Sequence, residues 1–314
     1  MLTGLPLSTI TLLLVAGIAL DLLLGETRRW HPLVGFGKLV TFIERRLNSG
    51  SGRLLRGVLA WSLAVLPLTL LFAGLAEAAG LWLHALLLYF CIGLRSLRDH
   101  TLPIFAALQR GDLTQARLLT SYIVSRDTTN ANESDLAKAS AESLLENGND
   151  AVFGTLFWFI LLGGPGAVLF RLANTLDAMW GYRNERFNLF GRTAARIDDV
   201  LNYVPARLTA LSYVLLAGAG CARAWQCWRT QAPAWSSPNA GPVMASGAGA
   251  LGVSLGGAAV YDGEVEQRPP LGLGPAAGAH DIPRALRLVL RTTLLWTGVV
   301  CLAAVLLSLG DHHA

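Results

Sequence analysis

Charged residues are scarce in this chain of 314 residues, of which 15% are charged and 53% are hydrophobic. A mean hydropathy of +0.47 is too high for an ordinary soluble domain and indicates a membrane protein. The sequence also lacks a GxxxxGK[ST] phosphate loop, an HExxH zinc helix and a GxSxG nucleophile turn. These absences exclude P-loop nucleotide binding, zincin-type metal hydrolysis and the serine-hydrolase elbow.

Cysteine is equally rare, with four residues and no CxxC pair. Three of the four, Cys91, Cys221 and Cys301, lie in apolar runs, so we interpret the cysteines as small buried side chains rather than metal ligands or disulfides. The segment GAGALG at 247–252 fits GxGxxG, but no strand pattern precedes it, so it does not predict a dinucleotide site. The net charge of +4 is typical of basic membrane loops and predicts no nucleic-acid partner.

Long apolar runs dominate the chain. Several approach the roughly 20 residues that cross a bilayer, and they lie at 5–24, 54–75, 80–94, 151–170, 204–221 and 292–309. No Lys or Arg precedes the first run, so we expect a retained anchor rather than a cleaved signal peptide. The composition predicts an all-α, polytopic membrane bundle with about five or six spans and amphipathic surface helices, forming one integral membrane domain over 1–314.

The polar segments between these runs suggest an orientation. Residues 25–53 carry an excess of basic side chains, which predicts a cytoplasmic loop of a multi-pass inner-membrane protein; they are Arg28, Arg29, Lys38, Arg45, Arg46 and Arg53. The next polar segment, 95–150, then becomes a cytoplasmic insertion of two or three helices. Residues 223–287, rich in Gly, Pro and Ala, predict a loop with short helices. His312 and His313 are expected in a frayed end rather than in a metal site.

A GGPG sequence at 163–166 interrupts the apolar run that begins at residue 151. Proline and glycine break helices, and in a membrane a break is tolerated only where the backbone is buried or lines a cavity. Two structures fit this pattern. One is a re-entrant hairpin of two half-helices, and the other is a single kinked span.

Residues 132–148 are typical of a helix, with Asn132 or Ser134 as its cap and Gly148 in a left-handed C-terminal position. Glu142 and Glu146 are four residues apart and share a face, and Asp150 follows the end of the helix. A Mg²⁺ ion would relieve the repulsion between these carboxylates. A solvated helix face is the alternative interpretation.

Other polar groups occur close to apolar segments. The turn SRDT at 125–128 combines a hydroxyl, a guanidinium and a carboxylate, which suits phosphate recognition or, alternatively, a locally capped turn. Asn174 and Asp177 follow the GGPG sequence, where ionisable groups usually have a functional or pairing role. Asp21, within the first run, belongs to the same category, with an arginine partner as the alternative.

The densest charge lies in GYRNERFNLFGRTAARIDD, residues 181–199. Arginine is the preferred residue for forked contacts with phosphate or carboxylate, so Arg183, Arg186, Arg192, Arg196 and the later Arg207 can hold a polyanion. Glu185, Asp198 and Asp199 can hold its metal ion. A surface loop paired with itself explains the spacing equally well.

Five segments occur in an order that resembles the adenosylcobinamide-phosphate synthase family of cobalamin biosynthesis, the CobD/CbiB membrane proteins. They are SRDT (125–128), AESLLENGNDAVFGTLFW (141–158), GGPGAVLFRLANTLDAMWGYRNERF (163–187), GRTAARIDDVLNYVPARLTA (191–210) and SPNAG (237–241). The early LDLLLGETRRWHPLVGFGK (20–38) looks like the opening motif of the family, although this chain has Glu26-Thr27 where the family often has Asp-Pro. The resemblance covers nearly the whole chain.

The resemblance implies an amide-forming ligase that joins adenosylcobyric acid to (R)-1-aminopropan-2-ol O-phosphate, or a related aminoalcohol phosphate, with ATP and Mg²⁺. It implies three groups of site residues. The catalytic candidates are Glu142, Glu146, Asp177, Glu185 and Asp199. The substrate- and phosphate-binding candidates are Arg126, Asn174, Arg183, Asn184, Arg186, Arg192, Asn202, Arg207 and Asn239. The metal candidates are Asp150, Asp198 and Asp199.

The same resemblance implies a site facing the cytoplasm at the membrane surface, without a tightly bound prosthetic group. Membrane lipid, other late cobalamin-synthesis enzymes and a second copy of the chain are the expected partners besides the substrates. Two other functions fit parts of the sequence: a transporter of small anionic solutes, because of the broken helix, and a non-enzymatic membrane regulator distantly related to the family. Against transport, no inverted repeat is visible.

Overall fold

The computed structural model of the protein describes residues 4–27, 31–261 and 263–311. Arg28, Arg29, His312 and His313, which entered the sequence predictions, lie outside these residues. Within the described ranges, four helices are long and apolar enough to cross a membrane, or five if a bent pair over 192–234 counts as one span. The prediction of an all-α polytopic bundle is confirmed, with four or five candidate spans where about five or six were expected.

The chain divides into two compact units. The first unit comprises Met1–Gly93, Asp150–Asn202 and Thr297–Ala314, and the second comprises Leu94–Asn149 and Tyr203–Trp296. Elements α1 to α4, α8, the start of α9 and the end of α12 belong to the first unit. Their bounds are α1 Leu7–Leu24, α2 Pro32–Leu47, α3 Arg53–Ala79, α4 Trp82–Cys91, α8 Gly154–Trp180, α9 Arg192–Leu216 and α12 Asp281–Asp311.

The prediction of a span over 80–94 is wrong. The helix there, α4, has 10 residues and is therefore about 15 Å long, half of the roughly 30 Å hydrocarbon core. Ile92 is extended and ends the helix, and the next residue, Gly93, donates its N–H to the Ala151 carbonyl at 3.0 Å. The apolar run is hydrophobic because α4 is buried against α1 and α8 within the unit.

Helix α8 folds back on itself at Gly163, whose φ of 65° and ψ of −155° are not helical. A Cβ on Gly154 would lie 2.1 Å from Cζ of Phe170, although these residues would be about 24 Å apart along a straight helix. A Cβ on Gly166 would lie 2.3 Å from the Trp158 carbonyl oxygen, eight residues earlier. The arms 154–162 and 164–180 therefore pack antiparallel, which supports the hairpin over a single kinked span.

The neighbouring helix α4 stabilises the turn of this hairpin. Nδ1 of His84 accepts a hydrogen bond of 3.0 Å from the N–H of Gly164, the first residue of the second arm. This N–H is one of the donors that a helix start leaves without an internal partner. Gly164 also packs closely against Leu87 and the backbone of His84, so a side chain at this position would not fit.

The second unit contains the remaining helices and a β-hairpin. Helices α5, α6 and α7 pack together, as do α10 and α11. The bounds are α5 Leu94–Gln109, α6 Leu113–Ser121, α7 Glu133–Asn147, α10 Cys221–Gln231, α11 Ala240–Leu251, β1 Leu255–Tyr261 and β2 Glu264–Leu271. Three helices, α5–α7, lie in the segment 95–150, and the cytoplasmic location of this segment stays a prediction. The segment GAGALG ends α11 and precedes a strand, so it is not a dinucleotide loop; its Gly249 lets α11 approach Ala224 of α10.

Helix α7 begins as predicted and ends differently. The side chain of Asn132 accepts the N–H of Asp135, and the carboxylate of Asp135 accepts the N–H of Asn132, which together form a capping box. Gly148 is right-handed, with φ −55°, and the chain continues as a π-helix over Gly148–Phe153, so the predicted left-handed end is wrong. Glycine is required there by space, because a Cβ would lie 2.9 Å from Val289 and 3.0 Å from the Tyr213 hydroxyl.

The β-hairpin lies in the segment that we predicted as loop with short helices. Strands β1 and β2 pair antiparallel from Leu255 opposite Leu271 to Tyr261 opposite Glu264. The register shifts between Gly256 and Gly257, both with positive φ. Only glycine fits at the first position, since a Cβ would lie 2.2 Å from the Pro269 oxygen. This bulge turns the Gly256 N–H towards α7.

Candidate functional site

A buried group of carboxylates and amides lies in the first unit, and we call Asp150, Asp177, Asp198, Asn174 and Asn202 the carboxylate cluster. Nδ2 of Asn202 donates to Asp150 Oδ1 and to Asp198 Oδ2, each at 3.2 Å. Nδ2 of Asn174 donates to the other oxygen of Asp198 at 3.3 Å. Both oxygens of Asp198 are thus held, and the two acids are brought to one amide nitrogen.

Three elements position the carboxylate cluster. The first turn of the π-helix supplies Asp150, the second arm of α8 supplies Asn174 and Asp177, and the first turns of α9 supply Asp198 and Asn202. The sequence predicted each of these residues separately, and the structure brings them together. Their charges interact, because Asp150 and Asp177 both repel Asp198.

Asp177 and Asp199, whose charges interact, lie where the carboxylate cluster meets the charged stretch 181–199. The side chain of Asp177 lies over Gly181, where a Cβ would be 2.0 Å from Oδ1, so a glycine follows the helix end. Asp199 is half-buried and lies in the field of Arg196 and Arg183. Positive groups therefore flank the cluster on the side of the charged stretch, for which the sequence predicts a polyanion site.

Arg171 was missed by the sequence analysis. It lies in the second arm of α8, it interacts with the charges of Glu26 and Asp150, and its Nε is buried without a hydrogen-bond partner among the described residues. A buried guanidinium with an unsatisfied donor needs a counter-charge or an acceptor. Its position in an apolar segment, RLANTLD, was the signal that could have identified it.

Arg186 is bound within the protein rather than directed to a ligand. Its Nε and Nη2 donate to the two oxygens of Glu44 at 3.1 and 2.7 Å, a forked pair that joins the charged stretch to α2. The hydrogen bonds from Arg186, opposed by burial, hold the pKa of Glu44 below its ordinary value. Asn48 adds a bond of 2.7 Å to the same carboxylate.

The other candidates of the stretch lie at its surface. Arg183, Asn184, Glu185 and Arg192 are exposed. Oδ1 of Asn184 accepts the Phe187 N–H at 3.0 Å and so closes a turn. Glu185 lines an open pocket with Glu44 and Arg186. Of these four, Arg183 is the one whose charge reaches the acids, through Asp199.

In the second unit, Glu142 forms buried ion pairs with two arginines, and we call Arg126, Glu142 and Arg268 the ionic triad. Arg268 contacts the carboxylate of Glu142 through Nη1 at 3.0 Å and Nη2 at 3.3 Å, and Arg126 contacts it through Nη2. The N–H of Gly256 adds a bond of 2.7 Å to Oε1. Glu142 is therefore occupied by partners, a geometry that suits a structural role better than that of a free base.

Glu146 lies one turn after Glu142 and lines the same cavity as the ionic triad. Arg268 was not predicted because it belongs to the β-hairpin. Its pKa is lowered by burial, but the attraction of Glu142 outweighs this effect and raises the pKa overall. The Asp262-Gly263 dipeptide that follows the apolar segment LGGAAVY was the sequence signal for that hairpin.

Two further candidates form a pair in the second unit. Nη1 of Arg207 donates to Oδ1 of Asn239 at 2.6 Å and to the Tyr203 carbonyl at 3.1 Å. The guanidinium also lies 3.6 Å from the centre of the Tyr203 ring. Asn239 is buried at the start of α11. Arg207 is thus fixed by an amide and an aromatic ring, and these contacts leave part of its fork of donors for other groups.

No group of three or more His, Cys, Asp or Glu side chains in the described ranges is arranged to hold a metal ion. The predicted set of Asp150, Asp198 and Asp199 is therefore not a complete coordination sphere. Asp150 and Asp198 are a pair of carboxylates that share the amide of Asn202. Such a pair suits Mg²⁺, which is commonly bound by one or two carboxylates together with substrate phosphates.

The fold and these sites define a predominantly helical membrane protein in which buried acids, amides and arginines are concentrated in two charged sites. A sequence model of the CobD/CbiB protein family matches residues 14–289. The chain is 56% identical over 310 residues to the cobalamin biosynthesis protein CobD of Stutzerimonas stutzeri, covering 98% of this chain and 100% of that protein. It is 54% identical over 312 residues to the protein of the same name from Chromobacterium violaceum, covering 96% and 99%.

A more distant relative, the cobalamin biosynthesis protein CobD of Geobacter metallireducens, is 40% identical over 275 residues, covering 82% of this chain and 85% of that protein. No solved structure matches the chain. The chain belongs to the CobD/CbiB family, as the resemblance of its five segments predicted.

Proposed function

We propose that this protein is an amide-forming ligase that joins adenosylcobyric acid to (R)-1-aminopropan-2-ol O-phosphate, or a related aminoalcohol phosphate, with consumption of ATP. Membership of the CobD/CbiB family over 14–289 is the observation that carries the proposal. The matched range includes the carboxylate cluster and the ionic triad. The names of the relatives connect them to cobalamin biosynthesis. The resemblance to the family suggests the reaction itself.

The reaction needs a carboxyl group activated by phosphoryl transfer and an amine that attacks it. The amine nitrogen forms a bond to the acyl carbon, phosphate leaves, and the proton from nitrogen must reach a base. In this proposal Asp177 accepts that proton, because it lies at the end of the carboxylate cluster beside the charged stretch. Asn174 and Asn202 hold the neighbouring acids in place through the bonds described above.

Asp150 and Asp198 would hold Mg²⁺, which when bound supplies positive charge to the phosphate oxygens. Two carboxylates that share the amide of Asn202 suit a Mg²⁺ ion that brings phosphate oxygens as its remaining ligands. They provide too few ligands for an ion that stays bound without substrate. Arg183, exposed beside Asp199, would bind phosphate oxygens of the nucleotide. The basic loop at 25–53 favours a cytoplasmic supply of ATP.

The test is product formation by the purified protein in detergent with adenosylcobyric acid, aminopropanol phosphate and Mg-ATP. We expect adenosylcobinamide phosphate from the wild type. Arg183→Ala and Asp199→Ala should each lose at least about 100-fold in rate, the scale of a lost charge-stabilising group in a transition state. Arg229→Ala, an exposed arginine of α10, is the matched control and should retain the rate.

Product formation by the wild type and full activity in both site variants would contradict the assignment of the site while leaving the reaction intact. No product with any aminoalcohol phosphate would contradict the reaction itself. The fold-back at Gly163 also suits a transporter of small anions. A detergent micelle has no two compartments, so turnover in detergent distinguishes the ligase from a transporter.

A further inference from the structure

Helix α2 connects two candidate spans, α1 and α3, without crossing the membrane itself. Its 16 residues give a length of about 24 Å, shorter than the roughly 30 Å hydrocarbon core, and four of them are charged. The end of α1 and the start of α3 are therefore on the same side of the membrane. Helix α2 joins them at that surface.

Two faces of α2 differ in composition. Phe36, Val40 and Glu44, spaced four residues apart, are buried where α2 packs on α3 and α8. The other face combines basic with apolar side chains, which is typical of a helix that lies in the interface of a membrane. We call this set the outer face of α2, and its residues are Val34, Lys38, Leu39, Phe42, Arg45 and Arg46.

The apolar residues of the outer face are large and exposed. Val34 is 60% exposed, Leu39 39% and Phe42 57%. Contact of three such side chains with water is unfavourable, whereas acyl chains beneath the lipid headgroups would cover them. Both adjoining spans expose leucines where they meet α2, at Leu24 and Leu55, so lipid lies close to each end of this helix.

The cations of the outer face are not matched by acids in the part of the chain that the structure describes. Lys38, Arg45 and Arg46 take part in none of its ion pairs. The charge of Arg45 reaches Glu44, but two hydrogen bonds from Arg186 already occupy that carboxylate. The outer face therefore presents three positive charges to its surroundings, which favours an anionic partner.

Arg46 and Phe42 show how charge and apolar surface are combined on this face. Cζ of Arg46 lies 5.1 Å from the centre of the Phe42 ring, a cation–π contact. An arginine held beside an apolar ring suits the headgroup layer, where the stem lies against acyl chains and the charged end reaches phosphate. Because α2 also lies between two spans, a lipid surface fits this face better than a soluble protein does.

We propose that the outer face of α2 lies in the headgroup layer of the bilayer and binds anionic phospholipids. Its apolar side chains contact the acyl chains, and its three cations contact the lipid phosphates. The buried face of the same helix carries Glu44, whose forked pair with Arg186 joins α2 to the charged stretch 181–199. Lipid bound to α2 therefore also holds that stretch at the level of the headgroups. The proposal does not depend on the proposed reaction.

The first test measures the depth of α2 in the full-length protein. The four native cysteines are replaced by alanine, and a nitroxide label is attached through Phe42→Cys or, as a control, through Ser51→Cys in the exposed turn before α3. The protein is reconstituted in nanodiscs of phosphatidylglycerol and phosphatidylcholine in equal amounts. Oxygen, which is concentrated in lipid, should relax the label at 42 more than a water-soluble nickel chelate does, and the label at 51 should show the reverse.

The second test measures the preference for anionic lipid. Native mass spectrometry of protein released from the same nanodiscs gives the ratio of bound phosphatidylglycerol to bound phosphatidylcholine. Arg45→Gln combined with Arg46→Gln should lower this ratio at least about fivefold, the effect of one cation close to an anionic membrane surface. The control combines Arg110→Gln with Arg229→Gln, which removes two exposed cations from the second unit and should leave the ratio unchanged.

A label at 42 that lies in lipid, together with a lower ratio in the Arg45 and Arg46 variant alone, supports the proposal. A label at 42 that meets the nickel chelate as readily as the label at 51 would place the outer face in water and overturn it. Shielding from both reagents would mean that a protein, such as a second copy of this chain, covers the face, and would also overturn it. An unchanged lipid ratio refutes the binding of anionic lipid. None of these results bears on product formation.

Discussion

Substitution of Gly154 by alanine tests the helical hairpin directly. The added Cβ would lie 2.1 Å from Cζ and 2.5 Å from Cε1 of Phe170, a ring with no exposed surface. Neither the ring nor the opposite arm can move without disturbing the packing, and overpacking of this kind costs roughly 1–3 kcal/mol. If the two arms did not pack together, Gly154 would face open space and the substitution would be harmless.

Gly74 of α3 provides the matched control. It is also a helical glycine, it is exposed, and no atom lies within 4 Å of a Cβ built there. Replacing glycine by alanine in a helix favours folding by up to about 1 kcal/mol at either site. Because this gain is common to both variants, the difference between them isolates the steric cost, which we expect to be about 1–3 kcal/mol.

The assay is reversible unfolding of the detergent-solubilised protein, followed by far-UV circular dichroism. Gly154→Ala should unfold at a lower denaturant concentration than Gly74→Ala. Phe170→Leu, which removes the ring atoms at the contact, should make the alanine at 154 less costly, with a coupling energy of about 0.5–3 kcal/mol. Equal midpoints for the two alanine variants, with no coupling to Phe170→Leu, would refute the antiparallel arms.

Two further predictions concern ion pairs. Glu142→Gln removes the carboxylate between two buried arginines and should lower the free energy of unfolding by about 3–5 kcal/mol. The control, Glu133→Gln at the exposed start of α7, should change it by only a few tenths of a kcal/mol. Similar changes for both variants would contradict the burial of the pairs. Hydrogen bonds from Arg186 are the main cause of the lowered pKa of Glu44 in the folded protein. As the pH decreases below the ordinary pKa of 4.5, the unfolded chain therefore binds the proton more readily, and the free energy of unfolding decreases. Glu44→Gln should reduce this acid-dependent loss, as measured by unfolding between neutral pH and pH 3, and an unchanged pH profile would argue against the pair.

The sequence predicted most of the charged groups but not their grouping. Four residues of the cluster lie in one stretch of the chain, 150–202; they are Asp150, Asn174, Asp198 and Asn202. Hydropathy and spacing nevertheless contain no information on which amide contacts which acid. That information depends on the fold-back at Gly163 and on the helix turns that aim each side chain. The break was visible as GGPG, because glycine and proline have a local conformational signature.

Two elements were misread for identifiable reasons. Hydropathy responds to burial in protein as it does to burial in lipid, so the apolar run that forms α4 was taken for a span. The β-hairpin has two Gly in its first strand and two Pro in its second, which weakened its alternating pattern. Arg268 lies on this hairpin, so the sequence did not reveal the partner that explains the burial of Glu142.

The antiparallel arms of α8 have a consequence for how the chain is threaded through the bilayer. A segment that folds back on itself adds an even number of crossings, none or two, whatever depth it reaches. Its tip, 163–166, carries no charge, so the translocation machinery moves no polar loop across the membrane on its account. Reporters fused just before Gly154 and just after Trp180 therefore belong on one side, and insertion of the arginine-rich stretch requires no inversion at this point.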